Sequence, residues 1–191
     1  SAAAGRETLL VDTAEFPRDK PCGDGLTPRA IAELRELGLG PFLSGRGTNW
    51  GLRAHGFGQT LHLPWPGGSL PSTGSAAPRT DLDHAVLQAA RTRGAEVLTR
   101  AKAVRVEPGP GDRVAGVTVR TPDGSRTIGC ERLVVADGAR SPVGRMLGRT
   151  WHRDTAYGIA VRGYLRSGRG SDPWIASHLE LRDGNDQILS C

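Results

Sequence analysis

One short loop, Arg18-Asp19-Lys20-Pro21-Cys22-Gly23-Asp24-Gly25-Leu26, limits the possible folds more than any other stretch of this chain. It follows an apolar run, Thr8-Leu9-Leu10-Val11, that ends on Asp12. An amphipathic segment, Pro28 to Leu37, comes next. Two glycines bracketing an acid, beside a lysine and a lone cysteine, make a tight loop whose backbone can approach a flat ligand closely. A strand, an acidic strand end, a glycine loop and a helix in that order point towards a nucleotide cofactor.

The 191 residues suffice for one good core, and 37% apolar with 24% charged residues is the balance of a soluble globular domain. No apolar run approaches the roughly 20 residues a membrane span requires. Membrane contact is therefore expected to be peripheral. The net charge of +5 invites a nucleic-acid reading. Yet Lys20 and Lys102 are the only lysines, the arginines are scattered among Ala, Gly and Pro, and no basic run or aromatic-interleaved stripe occurs. Nucleic acid is therefore not the expected partner. Cys22, Cys130 and Cys191 lie far apart with no C-x-x-C, which points to reduced thiols in a cytosolic compartment and to no metal.

Along the chain, Leu9 to Val11 reads as a strand buried on both faces, with Asp12 where dinucleotide-binding folds place an acid for ribose hydroxyls. Ala30, Ile31, Leu34 and Leu37 fall on one helical face that Gly38 ends. Residues 44–80, rich in Gly, Pro and Ser, read as an excursion on the substrate or cap side, with strands at 53–55 and 60–63. Its His55 and His62 share no metal-ligand spacing. Asp81 to Arg93 is the clearest helix, stopped by Gly94, and Glu96 to Leu98 the next strand. Ala103–Glu107, Val114–Arg120 and Arg126–Cys130 then form an antiparallel meander separated by two strong turns. Leu133 to Ala136 returns to the buried-strand pattern and ends in Asp137-Gly138, ahead of a short helix, 143–147. An Asp-Gly there suits a phosphate or a cofactor hydroxyl, and equally a plain turn. From Trp151 the strands lengthen, at 157–164 and 174–181.

These elements predict an α/β fold: a Rossmann-like dinucleotide-binding domain carrying an inserted three-stranded antiparallel meander, followed by the start of a second, antiparallel sheet domain. The division is drawn at residues 1–149 and 150–191. Ser1 to Arg6 reads as the last turn of a helix, and Gln187 to Cys191 starts a strand without a turn, so the chain is expected to be a piece of a longer protein whose N-terminal glycine fingerprint lies elsewhere.

Leu9-Leu-Val-Asp12, Lys20-Pro-Cys-Gly-Asp-Gly-Leu26, Arg79-Thr-Asp-Leu-Asp83 and Leu133-Val-Val-Ala-Asp-Gly-Ala-Arg-Ser141 together resemble the geranylgeranyl reductase family of flavoproteins. That family lies within the group built like p-hydroxybenzoate hydroxylase. The resemblance covers essentially the whole chain and is nearest to members that saturate a double bond in the isoprenyl chain of menaquinone. It implies FAD, with NAD(P)H or another reductant as electron donor. It also implies that Asp12 holds the adenosine ribose and that Asp137 and Gly138 contact the pyrophosphate or ribityl region. Cys22 and Gly23 would lie near the isoalloxazine, with Lys20 in the cofactor-binding set and Arg79 approaching from the start of its helix. Cys22 is either a proton donor or a packed thiol.

The leading expectation is thus part of an FAD-dependent oxidoreductase acting on C=C bonds of an isoprenoid lipid or prenylated quinone, cytoplasmic and peripheral on the inner face of the membrane. A second keeps the fold and makes it an FAD- and NAD(P)H-dependent aromatic or quinone monooxygenase. Cys-Gly-Asp-Gly argues against that, since those hydroxylases more often carry arginine there. A third is a truncated, non-catalytic product unable to hold FAD.

Overall fold

The computed structural model describes residues 1–21, 23–150, 154, 160–182, 188 and 189. Along the chain, a 3₁₀ turn at Ala2–Ala4 leads to β1 (Leu9–Val11), β2 (Gly25–Leu26), α1 (Pro28–Glu36), α2 (Gly40–Leu43) and β3 (Thr48–Asn49). Next come β4 (Gly51–Gly56), β5 (Gln59–Pro64), β6 (Gly74–Ala76), α3 (Arg79–Thr92) and β7 (Glu96–Leu98). The last are β8 (Lys102–Pro108), β9 (Val114–Thr121), β10 (Gly124–Gly129), α4 (Pro142–Met146), β11 (Trp174–His178), β12 (Leu181–Arg182) and β13 (Ile188–Leu189).

Two compact units divide the chain, Ser1–Phe16 with Ala90–Gly158, and Pro17–Ala89 with Ile159–Cys191. This division by contact is interleaved along the sequence, whereas the boundary near Arg149 is a division by sequence texture; the two cut the chain at different places.

In the first unit β1 pairs with β7 in parallel, Leu10 opposite Val97. Val11 and Leu98 pack against the core, but no residue of either strand is fully buried, short of the two-faced burial expected of β1. The meander is ordered β10-β9-β8 and fully antiparallel. Its β9–β10 turn is the two-residue loop Pro122-Asp123, since Thr121 faces Gly124. Its inner face supplies Val117 and Val119, which bury with Ala101 against Val11, Leu98, Ala103, Ile128 and Leu133. Helix α4 packs on β8. The buried strand expected at Leu133–Ala136 does not form. Leu133 joins the core, but Val134 is 85% exposed, and among the described residues the β1–β7 sheet has two strands, neither of them paired with 133–136. Apolar content alone does not make a strand; its N–H and C=O groups require a neighbouring ladder.

In the second unit α1 starts at an N-cap, Thr27, whose hydroxyl accepts from the Ala30 N–H at 3.4 Å, with Pro28 at the first helical position. Leu26, Ile31, Leu34 and Ala77 form its core, flanked by Phe42, Leu43 and Leu82. Leu37, expected on the apolar stripe, is the C-cap instead and stands 46% exposed. Strands β2 and β3 flank β6 in a small antiparallel sheet. The hairpin β4–β5 turns through Phe57 and Gly58, both left-handed at φ 52° and 69°. That geometry favours Gly and strains Phe. β11 adds to the other edge of β4 in parallel, Ile175 opposite Leu52, where an antiparallel partner was expected. Of the expected strand at 157–164, residues 157–159 lie outside the described residues. Residues 160–164 are not a strand: Val161 is 93% exposed and Arg162 and Tyr164 make side-chain rather than ladder bonds.

Candidate functional site

Asp12 sits at the carboxyl end of the parallel pair β1–β7. Its N–H donates to the Leu98 carbonyl at 3.0 Å and its own carbonyl accepts from the Ala101 N–H at 3.0 Å, continuing the ladder past the strand. Its carboxylate accepts from the Ala14 N–H at 2.8 Å, which turns the chain away from the sheet. Strand ends of this kind are where open α/β sheets present polar groups to ligands.

Asp137 caps α4. Its Oδ2 accepts from the Val143 N–H at 2.9 Å, and its Oδ1 accepts from the Ser141 hydroxyl, which itself accepts from the Gly144 N–H at 2.7 Å. Burial pushes the Asp137 carboxyl up, but the Ser141 hydroxyl, the Val143 N–H and its own N–H outweigh that and, with Arg149 nearby, hold it below the usual 3.8. The group is therefore an ionised acceptor at neutral pH. It lines a cleft of about 520 Å³ with Val135, Gly138, Ser141, Gly144, Leu147, Gly148 and Arg149. Gly138 and Gly148 are left-handed at φ 88° and 86°, and no atom lies within 4 Å of where their Cβ atoms would be, so the backbone there is open to a ligand. Gly144 is required for a different reason: a Cβ would meet Ser141 Oγ at 2.6 Å.

The other expected residues belong to the second unit. Lys20 and Gly23 are exposed, and Gly23 has open space where a Cβ would be. Cys22 lies outside the described residues. Arg79 turns its fork onto Asp83, one turn along α3, with both bonds at 2.8 Å, and Arg18 donates to the same carboxylate at 2.8 Å. A pair of carboxylates and a distant arginine that sequence reasoning missed hold the loop beside it. Arg162 donates to Asp19 and, at 2.9 Å, to Asp24, and the Tyr164 hydroxyl donates to Asp24 at 2.7 Å. The Arg162 hydrogen bond is the largest cause that keeps Asp19 below its usual range, and the positive charge of Arg79 acts the same way. Lys20, Gly23 and Arg79 thus share one charged neighbourhood, while Asp12, Asp137 and Gly138 belong to the first unit. Nothing local in the sequence announces Arg162; only the two acids bracketing the loop hint that it needs a cation.

The family model described as FAD binding domain matches residues 2–163. The chain belongs to the FAD-binding domain family. A menaquinone reductase of Mycolicibacterium smegmatis is 52% identical over 189 residues, covering 99% of this chain and 46% of that protein. The chain therefore spans about half the length of that relative. The expected kinship with menaquinone reductases is met. A flavoprotein/dehydrogenase from Cytophaga hutchinsonii superposes with a TM-score of 0.73 at 17% identity, over 94% of this chain and 47% of that one. Aklavinone-11 hydroxylase, in complex with FAD and aklavinone, gives 0.61 at 22% identity over 77% and 31%. At those identities the two structures show the fold alone, and it is the Rossmann-like FAD-binding fold expected from the sequence.

FAD is a fair test of the cleft at Asp137. Its glycines admit a polar chain close to the backbone, Arg149 supplies a cation suited to phosphate, and ionised Asp137 accepts from hydroxyls. The residues fit a phosphate-and-polyol portion of FAD. Among the described residues no helix is long and apolar enough to cross a membrane.

Proposed function

We propose that the protein to which this chain belongs is an FAD-dependent reductase that saturates a C=C bond in the isoprenoid chain of menaquinone. One observation carries the reading: 99% of this chain aligns at 52% identity with a protein named menaquinone reductase, of which it covers 46%. When bound, FAD supplies the hydride for one alkene carbon while a proton reaches the other, and NAD(P)H or another reductant restores the flavin.

The chain's residues take the following parts in this reading. Asp12 and ionised Asp137 hold cofactor hydroxyls, Gly138 and Gly148 allow close backbone approach, and Arg149 balances phosphate charge. Lys20, Cys22, Gly23 and Arg79 are the cofactor-binding residues of the second unit, with Cys22 and Gly23 near the flavin ring, and β11 joins β4 and β5 in the substrate-binding sheet. An apolar chain is accommodated by apolar surface, and one face of the β11-β4-β5 sheet carries Leu52, Leu61, Leu63 and Ile175, with Leu61 57% and Leu63 49% exposed. The quinone's membrane solubility makes the protein peripheral on the inner membrane face, within reach of the lipid.

The test is turnover of menaquinone by the full-length, FAD-loaded protein supplied with NAD(P)H or dithionite as reductant, run anaerobically with product mass read by mass spectrometry and, with NAD(P)H, in parallel in air with oxygen consumption followed. Gain of one H₂ in the side chain is expected. Oxygen uptake coupled to hydroxylation of a phenolic substrate, with menaquinone unchanged, overturns the reading in favour of a monooxygenase.

A further inference from the structure

Among the described residues of the 19–25 loop, none is a buried apolar anchor. Asp19, Lys20, Pro21 and Gly23 are exposed, and the first buried side chain after them is Leu26. Such a segment is ordered by polar contacts or left to fluctuate, because nothing else offsets its conformational entropy.

One side chain supplies the key contacts. The Arg162 guanidinium donates through one nitrogen to Asp19 and through the other to Asp24, so a single planar fork closes both ends of the loop. The Asp24 side of the fork is partly desolvated, with the Arg162 side chain 16% and that of Asp24 19% exposed, whereas Asp19 stands 60% exposed. Tyr164 donates to the second oxygen of Asp24 at 2.7 Å, and the guanidinium lies 4.8 Å over its ring. The Asp24 carbonyl accepts from the Ala77 N–H at 2.9 Å, which ties the same residue to the end of β6. A Cβ placed on Gly25 would lie 3.6 Å from Ile175 Cδ1, so the loop's exit abuts the apolar sheet face.

We propose that Arg162, seconded by Tyr164, is a positioning residue that staples the Asp19–Gly25 loop in the geometry turnover requires. This rests on the reductase reading for its link to activity, and on the ion pairs alone for its hold on the loop. Arginine is specifically required. Its rigid fork serves two carboxylates at once, whereas the point charge of a lysine serves one well. An unstapled loop would still fold with the unit, because the Leu26–Ile31–Leu34–Ala77 core does not include Arg162.

The test compares wild type, Arg162→Lys, Arg162→Met and Tyr164→Phe in the full-length, FAD-loaded protein. Amide hydrogen exchange of the peptide spanning 17–26 is followed beside the melting temperature, flavin absorbance and menaquinone kinetics. In Arg162→Met, loop exchange is expected to rise about tenfold or more while the melting temperature and flavin content hold. In the same variant kcat is expected to fall roughly tenfold with KM little changed, as when an interaction needed only at the transition state is lost. Arg162→Lys falls between it and wild type, and Tyr164→Phe shows the smaller loss. Unchanged loop exchange in Arg162→Met and Arg162→Lys overturns the staple. Raised exchange with unchanged kcat overturns the positioning role. If Arg162→Met does not fold, Arg162→Lys and Tyr164→Phe decide both points by the same measurements. A wild type that leaves menaquinone unreduced overturns the reductase reading, and loop exchange still decides the staple.

Discussion

His55 and His178 stack across the parallel pair β4–β11, ring centroids 4.7 Å apart and planes 18° from parallel, directly opposite in register. Burial, followed by the neighbouring charges of His178, Arg53, Arg169 and His62, holds the His55 pKa below its ordinary 6.5. The unfolded chain therefore binds this proton more readily than the folded one. Stability is full above about pH 6.5 and falls as the pH drops below it. An NMR titration should place the His55 midpoint under 6.5, and His178→Gln should move it back up and flatten the pH dependence of melting. A His55 midpoint that His178→Gln leaves in place would show that the stack does not govern it.

Asp172 carries the opposite charge at the entrance to the same strand. It takes both bonds of the Arg53 fork, a further one from Arg169 at 3.0 Å, and the Trp174 N–H at 3.2 Å. The Arg53 hydrogen bond, opposed by burial and aided by Trp174 and Arg169, lowers its pKa to about 2. Because the folded value is depressed, the stabilisation is whole above the ordinary 3.8 and disappears as pH falls towards about 2. Asp172→Asn should therefore be less stable than wild type at pH 7, with the two urea midpoints converging as the pH approaches 2. Parallel curves at all pH values would remove Asp172 from the account of acid lability.

Local pattern made much of this legible. β1, the β4–β5 hairpin, α3 and the meander all follow from apolar period and turn chemistry, which act over a few residues. Asp137-Gly138 reads in the sequence as a turn, and the structure shows what the turn does, although no strand precedes it: the Asp137 carboxylate accepts from the Val143 N–H at the start of α4. Two buried-looking runs misled. Leu133–Ala136 and Ala160–Tyr164 have strand-like composition, but a strand is completed by a neighbour, and the sequence of one strand does not name its partner. The same limit hid the parallel addition of β11 to β4 and the pairing of Arg162 with Asp19 and Asp24, which lie 143 and 138 residues away. Arg79–Asp83 has the i,i+4 spacing of a helix pair, visible in the sequence once α3 is placed.

Gly74 shows where a missing side chain is required. A Cβ there would run into the Leu26 carbonyl and meet Asn49 Oδ1 at 2.5 Å. That oxygen already accepts from the Trp65 indole N–H at 2.7 Å, and the Asn49 amide donates to the Ser75 carbonyl at 2.9 Å. Gly74→Ala must therefore displace backbone or break a buried polar network, and should cost about 2 kcal/mol or more. Gly47 has no atom within 4 Å of its would-be Cβ. Gly47→Ala should stay within about 0.5 kcal/mol of wild type. Chemical denaturation of both variants checks the contrast, and equal losses would refute it.

The cleft at Asp137 offers a separation of structure from ligand. Ser141 is 4% exposed and its hydroxyl serves both the Gly144 N–H and the Asp137 carboxylate. Ser141→Ala removes both bonds and should lower stability by about 1–2 kcal/mol. Asp137→Asn keeps an oxygen for the Val143 N–H, so α4 stays capped while the negative charge is lost. If the cleft receives cofactor hydroxyls, Asp137→Asn should weaken FAD binding by roughly tenfold, about 1.4 kcal/mol, with a smaller change in melting temperature than Ser141→Ala. Arg149→Met, which removes the cleft's cation, should weaken FAD to a similar degree and more steeply at low salt. Flavin fluorescence titrations of the full-length apoprotein measure all three. FAD affinity untouched by both Asp137→Asn and Arg149→Met would mean that α4 and its cap are structural, with the cofactor's polar chain held elsewhere.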